Sequence, residues 1–577
     1  MNGNSRSSMN MGRKDSVRRS ISGLGRALSL TRGAQQNGEA QAAADNKTIF
    51  QGFEWYTESA ASHSHWKRLT TMLPYLKSIG IHMIWLPPGC KAAHADSTGY
   101  DIYDLYDLGE FNQKNGRRTK WGTKEELLDL VAVAKKYDVG IMWDAVLNHK
   151  AAADATEDAM AVKCDPEDRR KEIATPKSIS AWTSFDFPGR GSKYSAKRWT
   201  ATDFTGIDYD AITQKPGIYK FLSPSKPPKQ NGWATDVDSE RGNYDYLMFA
   251  DIDHRVTSVR ADLFNWADWI TNTLGLAGMR LDAMKHYSTA FQVDLVRHLQ
   301  EQHGRDFFVV GEYWTWNALT LSNIIGKFKG RISLYDVQLV YNFSDFSKEH
   351  PKPETPVGGD LRRIFEGALL QMHPQRSVTF VANHDTQEGQ SLEAPVAPWF
   401  VPHAYALILL RQEGQPCVFY GDLFGNNGPK ARTLAAGGRL PRLVAARQKY
   451  AYGRQKDYFD QADCVGWTRS GSPNKSEGAG LAVLVNSSWE VRNKKMFVGN
   501  SHRGEVWTDL MGWAWGEVVI DEWGQATFPV AARGVSVWAN KGAKARDKID
   551  RLVWDWQGWD DKEVEEREKG QEKKKQR

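Results

Sequence analysis

Gly278-Met279-Arg280-Leu281-Asp282-Ala283-Met284-Lys285-His286 is the stretch on which the reading of this chain turns. An apolar approach (Leu274, Leu276, Ala277) ends in an arginine and an aspartate two positions apart. Strand side chains alternate between faces, so residues i and i+2 point the same way. At the end of a buried strand, Arg280 and Asp282 project together into one site, where the guanidinium favours the ionised carboxylate. Taken alone, these nine residues describe a structural Arg–Asp pair equally well. What decides is that the format recurs.

From Thr48 onward, short apolar runs alternate with longer segments of helical period, the pattern of βα units around a parallel sheet. Strands are predicted at 48–53, 82–86, 140–144, 276–282, 307–312, 332–337, 378–382 and 416–420. The clearest helix is 123–138. Thr123 and Glu126 have capping-box spacing, Leu127, Leu128, Val131 and Ala134 make an apolar stripe, and Gly140 lies beyond its end. Eight such units predict an α/β fold, a closed (β/α)8 TIM barrel whose site lies at the C-terminal ends of the strands.

Between Asp144 and Asp282 the rhythm breaks. Residues 150–250 hold Pro, Gly, Asp and aromatics with little helical period, so they are predicted to be an inserted irregular β-rich domain after the third strand, with the missing helix at 257–274. After the eighth helix, short runs at 464–469, 480–486, 494–498, 504–508, 516–520, 526–530 and 534–539 predict a C-terminal antiparallel β-sandwich. The expected division is a disordered tail at 1–45, the barrel at 46–149 and 251–450, the insert at 150–250 and the C-terminal β domain at 451–540. A charged tail at 541–577 completes it, carrying the aromatic cluster Val553, Trp554, Trp556 and Trp559.

Charge placement narrows the function classes. Of 577 residues, 41% are hydrophobic and 25% charged, with a net charge of +6. Residues 1–45 hold seven Lys/Arg against three Asp/Glu, and 541–577 hold twelve against ten, which leaves 57 of each sign between them. The folded part therefore has no basic excess for nucleic acid. No apolar run approaches the roughly 18 residues of a membrane span. Four dispersed cysteines with no C-x-x-C argue against a zinc or redox motif and suit a reducing compartment. The tail at 1–45 has no apolar core of a secretory signal, so a cytoplasmic location is expected, although its Arg- and Ser-rich composition also describes a mitochondrial presequence. The 23 tryptophans suit either sugar faces or a large core.

Acidic residues fall at the ends of apolar runs four times: Asp144, Asp282, Glu312 and Asp385. A lone carboxylate there is costly unless paired or used. Four converging on one rim, with no nucleophilic Ser or Cys, suit glycoside hydrolysis, in which one carboxylate serves the oxocarbenium-like centre and another is held protonated. Metal-dependent hydrolysis is the runner-up, but no H-E-x-x-H motif occurs.

The stretches Asp144–His149, Gly278–His286, Val310–Trp314 and Phe380–Asp385 resemble the four ordered motifs of glycoside hydrolase family 13, the α-amylase family. Gly99–Phe111 and Asn243–Asp253 are similar to bacterial liquefying-type enzymes and their intracellular fungal relatives. The resemblance implies Asp282 as nucleophile, Glu312 as acid and base, and Asp385 as a holder of sugar hydroxyls. Arg280 would keep Asp282 charged, and neighbouring carboxylates would raise Glu312. His149 and His384 would donate to the sugar, Tyr100 would stack on it, and Lys285 and His286 would line the leaving-group side. The resemblance also implies calcium held by Asn148, Asp245, Asp251 and the carbonyl of His286, an all-oxygen set. A further aspartate of the bacterial pattern falls at Ala234, with Asp236 and Asp238 near enough to substitute. Other metal positions fall at Thr205, Arg255 and Lys456, so one calcium is expected at most.

The expected function is an endo-acting retaining α-1,4-glucan hydrolase, an α-amylase working as a monomer on starch, glycogen or malto-oligosaccharides. An intracellular transglycosylase in glycogen or cell-wall α-glucan metabolism would use the same motifs. An inactive carbohydrate-binding scaffold would not need the catalytic carboxylates.

Overall fold

The computed structural model describes residues 46–60, 62–223, 231–348, 359–428, 430, 434–474 and 478–553. The tail expected at 1–45 and residues Trp554, Trp556 and Trp559 lie outside them. Eight parallel strands close a barrel: β1 (Ile49–Gln51), β2 (Met83–Trp85), β3 (Gly140–Ala145), β4 (Gly278–Leu281), β5 (Phe308–Gly311), β6 (Ser333–Tyr335), β7 (Ser377–Phe380) and β8 (Gln415–Phe419). They neighbour one another in chain order, and β8 pairs with β1 to close the ring. All eight expected strands are present, and the helix expected at 257–274 spans Thr257–Leu274.

The helix after β2, Lys124–Lys136, starts where its cap chemistry says. The Thr123 side chain accepts from the Glu126 amide, and the Glu126 carboxylate accepts from the Thr123 amide. Such a cap contributes about 1 kcal/mol. Its buried stripe is Leu127, Leu130 and Ala134, whereas Leu128 is exposed. Leu127 and Ala134 of the expected stripe are thus buried and Val131 packs against the core, but Leu128 faces solvent and Leu130 takes its place.

Between β3 and β4 the chain builds a six-stranded antiparallel sheet from His149–Lys150, Ala155–Cys164, Lys177–Ser184, Phe204–Asp210, Lys215–Phe221 and Ala250–Ile252. Its first and last strands pair with each other, Asp251 opposite His149, so the insert leaves and rejoins the barrel at one place. C-terminal to the barrel, a six-stranded sheet and the pair Arg492–Phe497 with Gln525–Val530 enclose a second core around Trp507, Phe528 and Trp538. One strand of that sheet, Gln455–Tyr458, was not expected from the sequence. Its residues are polar and partly exposed, as an edge strand allows. The charged segment from residue 541, expected as a solvated helix or loose tail, begins with a short helix, Arg546–Asp550, but its Ile549 is buried in the main core.

Nine tryptophans are among the largest fully buried side chains, so much of the tryptophan excess fills cores. All four cysteines are buried and unbridged.

Candidate active site

Register brings the acids together. Arg280 on β4 pairs across to Asp144 on β3, and Leu281 pairs with Gly311 on β5. Side chains at matched positions of neighbouring parallel strands share a face, so Asp144 and Arg280 point the same way. Asp282 and Glu312, each one residue beyond its strand, leave the barrel at the same level. Two local features make this possible. Ala283 turns the chain at once with a positive φ of 49°. Gly311 has no side chain where a Cβ would lie 1.9 Å from the Met284 sulfur.

The Arg280 guanidinium is the hub. Its Nη1 donates to Asp144 Oδ1 and to Asp282 Oδ1, both at 2.7 Å, and its Nη2 donates to Glu312 Oε2. Trp85 Nε1 and the Tyr100 hydroxyl each donate to Asp144 Oδ2 at 3.0 Å. Exposure separates the acids. The Asp144 side chain is 0% exposed, whereas Asp282, Glu312 and Asp385 keep 10%, 12% and 18% open. Asp144 is thus sealed within the hydrogen-bond network, and the other three face the opening.

One guanidinium among four acids cannot keep them all charged. Burial drives the Glu312 carboxyl well above its ordinary value; Arg280 opposes the shift, and Asp282 and Asp385 reinforce it. The neighbouring carboxylates expected to raise Glu312 therefore act, but burial leads. Burial also pushes Asp385 up to about 7 and Asp144 up to about 6, against the pull of Arg280 in both cases.

The two histidines expected at the sugar are held neutral by burial. His384 meets Gln51 Nε2 through Nδ1 at 3.0 Å and faces Asp385 through Nε2 at 3.2 Å. Donation from the Gln51 amide leaves the ring proton on Nε2, toward Asp385. For His149, the Nε2 proton is already directed at the Tyr100 carbonyl, 2.7 Å away. The Tyr100 ring lies parallel to His384 at 5.0 Å and to Trp55 at 6.0 Å, forming an aromatic wall. Lys285 is bound by Glu240 of the inserted segment and donates to the Trp314 carbonyl at 3.3 Å. His286 Nδ1 donates to the Tyr244 carbonyl at 3.0 Å. The sequence reading missed Gln51, Trp55, Trp85 and Glu240. Gln51, a polar residue ending an apolar strand, carried a visible signal. Glu240, 45 positions from Lys285, carried none.

The expected calcium ligands also converge in part. Asn148 Nδ2 lies 3.3 Å from Asp251 Oδ1, while Asn148 Oδ1 is buried with no partner among the described residues. Asp251 accepts from the Thr205 hydroxyl, and Asp245 accepts from the Ala234 amide at 2.8 Å. Burial pushes Asp245 up to about 7 and Asp251 well above the usual range. An orphaned amide oxygen beside two buried carboxylates fits a hard cation. No group of three or more His, Cys, Asp or Glu suited to a metal occurs among the described residues; this set contributes two.

The residues suggested as substitutes for Ala234 have other partners. Asp236 accepts from Ser288 Oγ at 2.8 Å and from the Ala290 amide at 2.9 Å, and Asp238 accepts from the Tyr313 hydroxyl. Arg255 instead forks onto Asp253 and reaches the carbonyls of Gly232 and Trp233.

Comparison with known proteins agrees with this geometry. The family model for the α-amylase catalytic domain matches residues 42–470. The chain is 42% identical over 506 residues to a glucan 1,4-α-maltohexaosidase of Bacillus sp. (strain 707), covering 87% of this chain and 94% of that protein. It is 37% identical over 504 residues to the cytoplasmic α-amylase of Escherichia coli K12, covering 85% and 98% respectively. Among solved structures, an α-amylase of Geobacillus thermoleovorans complexed with acarbose shares the fold, with a TM-score of 0.56 at 17% identity over 86% of this chain and 99% of that one.

Proposed function

The chain belongs to the α-amylase family, and from that premise we propose how its site works: as an endo-acting, retaining α-1,4-glucan hydrolase with Asp282, Glu312 and Asp385 as its catalytic carboxylates. The observation that carries this reading is the single Arg280 fork on Asp144, Asp282 and Glu312, which sets two openly placed carboxylates side by side at the strand ends. Retaining chemistry needs two carboxyl groups about 5–5.5 Å apart, near enough to act on one carbon.

The roles follow from the environments. Asp282, paired with Arg280, attacks the anomeric carbon. Glu312, kept protonated by burial, gives its proton to the departing glycosidic oxygen. In the second step the Glu312 carboxylate takes a proton from water, the water attacks the same carbon, and Asp282 is released. Two displacements at one carbon retain its configuration. Asp385 and the His384 N–H beside it bind sugar hydroxyls, the wall of Tyr100 supports the ring, and Lys285 with His286 borders the departing glucan.

Asn148, Asp245, Asp251 and the carbonyl of His286 would hold one Ca2+. The ion would supply positive charge and a cross-link between the strand-three loop, the insert and the segment after β4. The substrate is starch, glycogen or a malto-oligosaccharide, and the protein acts as a cytoplasmic monomer. The name of the Escherichia coli relative supports the location.

The test is a time course on a defined malto-oligosaccharide, with and without added calcium, resolving products by length. Products shorter than the substrate are expected. Products longer than the substrate would show that sugar, not water, captures the intermediate, which is the transglycosylase reading. No product from any α-1,4-glucan would leave the scaffold reading.

A further inference from the structure

Arg255 stands where the resemblance to the bacterial enzymes puts a metal position, and its guanidinium is bound as an ion would be. Nε donates to Asp253 Oδ1 at 2.7 Å, and Nη2 to Asp253 Oδ2 at 3.0 Å. Nη2 also donates to the Gly232 carbonyl at 2.6 Å, and Nη1 to the Trp233 carbonyl at 3.2 Å. Two carboxylate oxygens and two backbone oxygens are the kind of set a hard cation takes. We propose that Arg255 is a built-in cation that replaces a second metal ion and, through the segment 232–240, positions the residues on the departing side of the substrate. The replacement concerns only the chain's own charges; the positioning rests on the α-glucan hydrolase reading.

These oxygens need a cation. The Asp253 side chain is 1% exposed, and Gly232 and Trp233 are buried in a stretch with no helix or strand to pair their carbonyls. Buried carboxylates and carbonyls are costly unless matched. A planar guanidinium meets a carboxylate with two parallel bonds and still has N–H groups for the carbonyls. It also repels a second cation from the same oxygens. The other altered metal positions are filled from the chain as well. The Thr205 hydroxyl donates to Asp251, and Ala234 offers its backbone amide to Asp245. The Arg255 charge reaches that far, opposing the upward push of burial on Asp245.

What Arg255 holds leads to the active site. Arg255 lies two residues before the barrel helix Thr257–Leu274, so its own position is set by the barrel. From the two carbonyls it binds, the chain runs along the segments that follow β4 and β5. Asp236 accepts from Ser288 Oγ and the Ala290 amide. The Asp238 amide donates to the Lys285 carbonyl at 3.1 Å, and the Asp238 carboxylate accepts from the Tyr313 hydroxyl. Glu240 then binds the Lys285 ammonium, which borders the departing glucan. A guanidinium anchored on the barrel thus fixes where Glu240 places Lys285, without contact with the substrate.

The experiment compares wild type with Arg255→Ala and Arg255→Lys, each stripped with a chelator and titrated with calcium alone. Wild type should take up no more than one calcium per chain. Arg255→Ala leaves the four oxygens to an ion, so it should bind one calcium more than wild type. Its melting temperature should fall and be recovered by calcium or by low concentrations of guanidinium. Arg255→Lys keeps the charge and loses the fork, so it carries the kinetics, with calcium present. Its kcat/KM on maltoheptaose should fall about tenfold. On an aryl α-maltotrioside, whose departing group is not a sugar, it should stay within about twofold of wild type. A second calcium in wild type would overturn the replacement. So would an Arg255→Ala variant that melts like wild type, or one whose loss neither cation restores. Should that variant not fold, the wild-type calcium count and Arg255→Lys decide. Equal losses on the two substrates, or none on either, would overturn the positioning. A wild type inactive on every α-glucan would sink the substrate reading and leave the calcium counts and melting temperatures to decide the replacement.

Discussion

Two clusters of buried acids, one at the ends of the barrel strands and one where the insert rejoins the barrel, are balanced differently. Around Arg280, a guanidinium built into β4 touches three carboxylates directly. Around Asp251, the described partners are a hydroxyl and two amides, and the nearby guanidinium of Arg255 is turned onto Asp253. A charge supplied by the chain is permanent and rigid, as a site that must place a nucleophile requires. A charge supplied by an ion comes and goes with its concentration, which suits a fastening between parts of the fold.

The sharpest way to break this comparison is at the acid that needs the fixed charge. Asp282→Asn keeps shape and removes the attacking carboxylate, so kcat should fall on the order of 10^4-fold or more, with the melting temperature little changed. Unchanged turnover in steady-state assays would end the assignment. Next in size is Arg280→Lys. An ammonium is a point charge and cannot reproduce the planar fork across Asp144, Asp282 and Glu312. Loss of one charged hydrogen bond, worth about 1.5–3 kcal/mol, predicts a fall in kcat/KM of roughly ten- to a hundredfold. A variant within twofold of wild type would show that the fork only packs.

The other cluster should respond to ions and not to these changes. Calcium at about a hundred times its Kd adds about 2.7 kcal/mol, a rise of several degrees in melting temperature that a chelator reverses. Asp251→Asn should abolish the rise. Melting curves that coincide with and without calcium would leave the Asn148 oxygen without the role given to it.

The same contrast explains what the sequence made legible. The eight strands and the four rim acids were readable because strand period and strand ends are local properties. The insert was readable as a break in that period, down to the helix Thr257–Leu274 that follows it. Partnerships between distant positions were not. Glu240 on Lys285 depends on how a loop returns to the rim and Trp85 on Asp144 on the register of two neighbouring strands, and neither pair has a spacing rule. The orientation of Leu128 and the strand Gln455–Tyr458 failed for a different reason: a leucine at the border of an apolar stripe can face solvent, and an edge strand needs no apolar face.

The smallest expected effect tests how the Arg280 cluster divides its labour. Glu312 must be protonated to act as acid, and burial holds its pKa well above the ordinary 4.5. Activity is therefore present below that pKa and lost as pH rises through it, so the basic limb of kcat/KM should lie far above the normal carboxylate range. Tyr100→Phe removes one hydrogen bond to Asp144, which does not touch the reacting centre. It should cost about 1 kcal/mol, roughly a fivefold loss of kcat, and leave the basic limb where it was, because the charges facing Glu312 are Arg280, Asp282 and Asp385. A limb that moves with Tyr100→Phe would mean that Asp144 shares the catalytic proton, and the sealed acid would then belong to the chemistry rather than to its support.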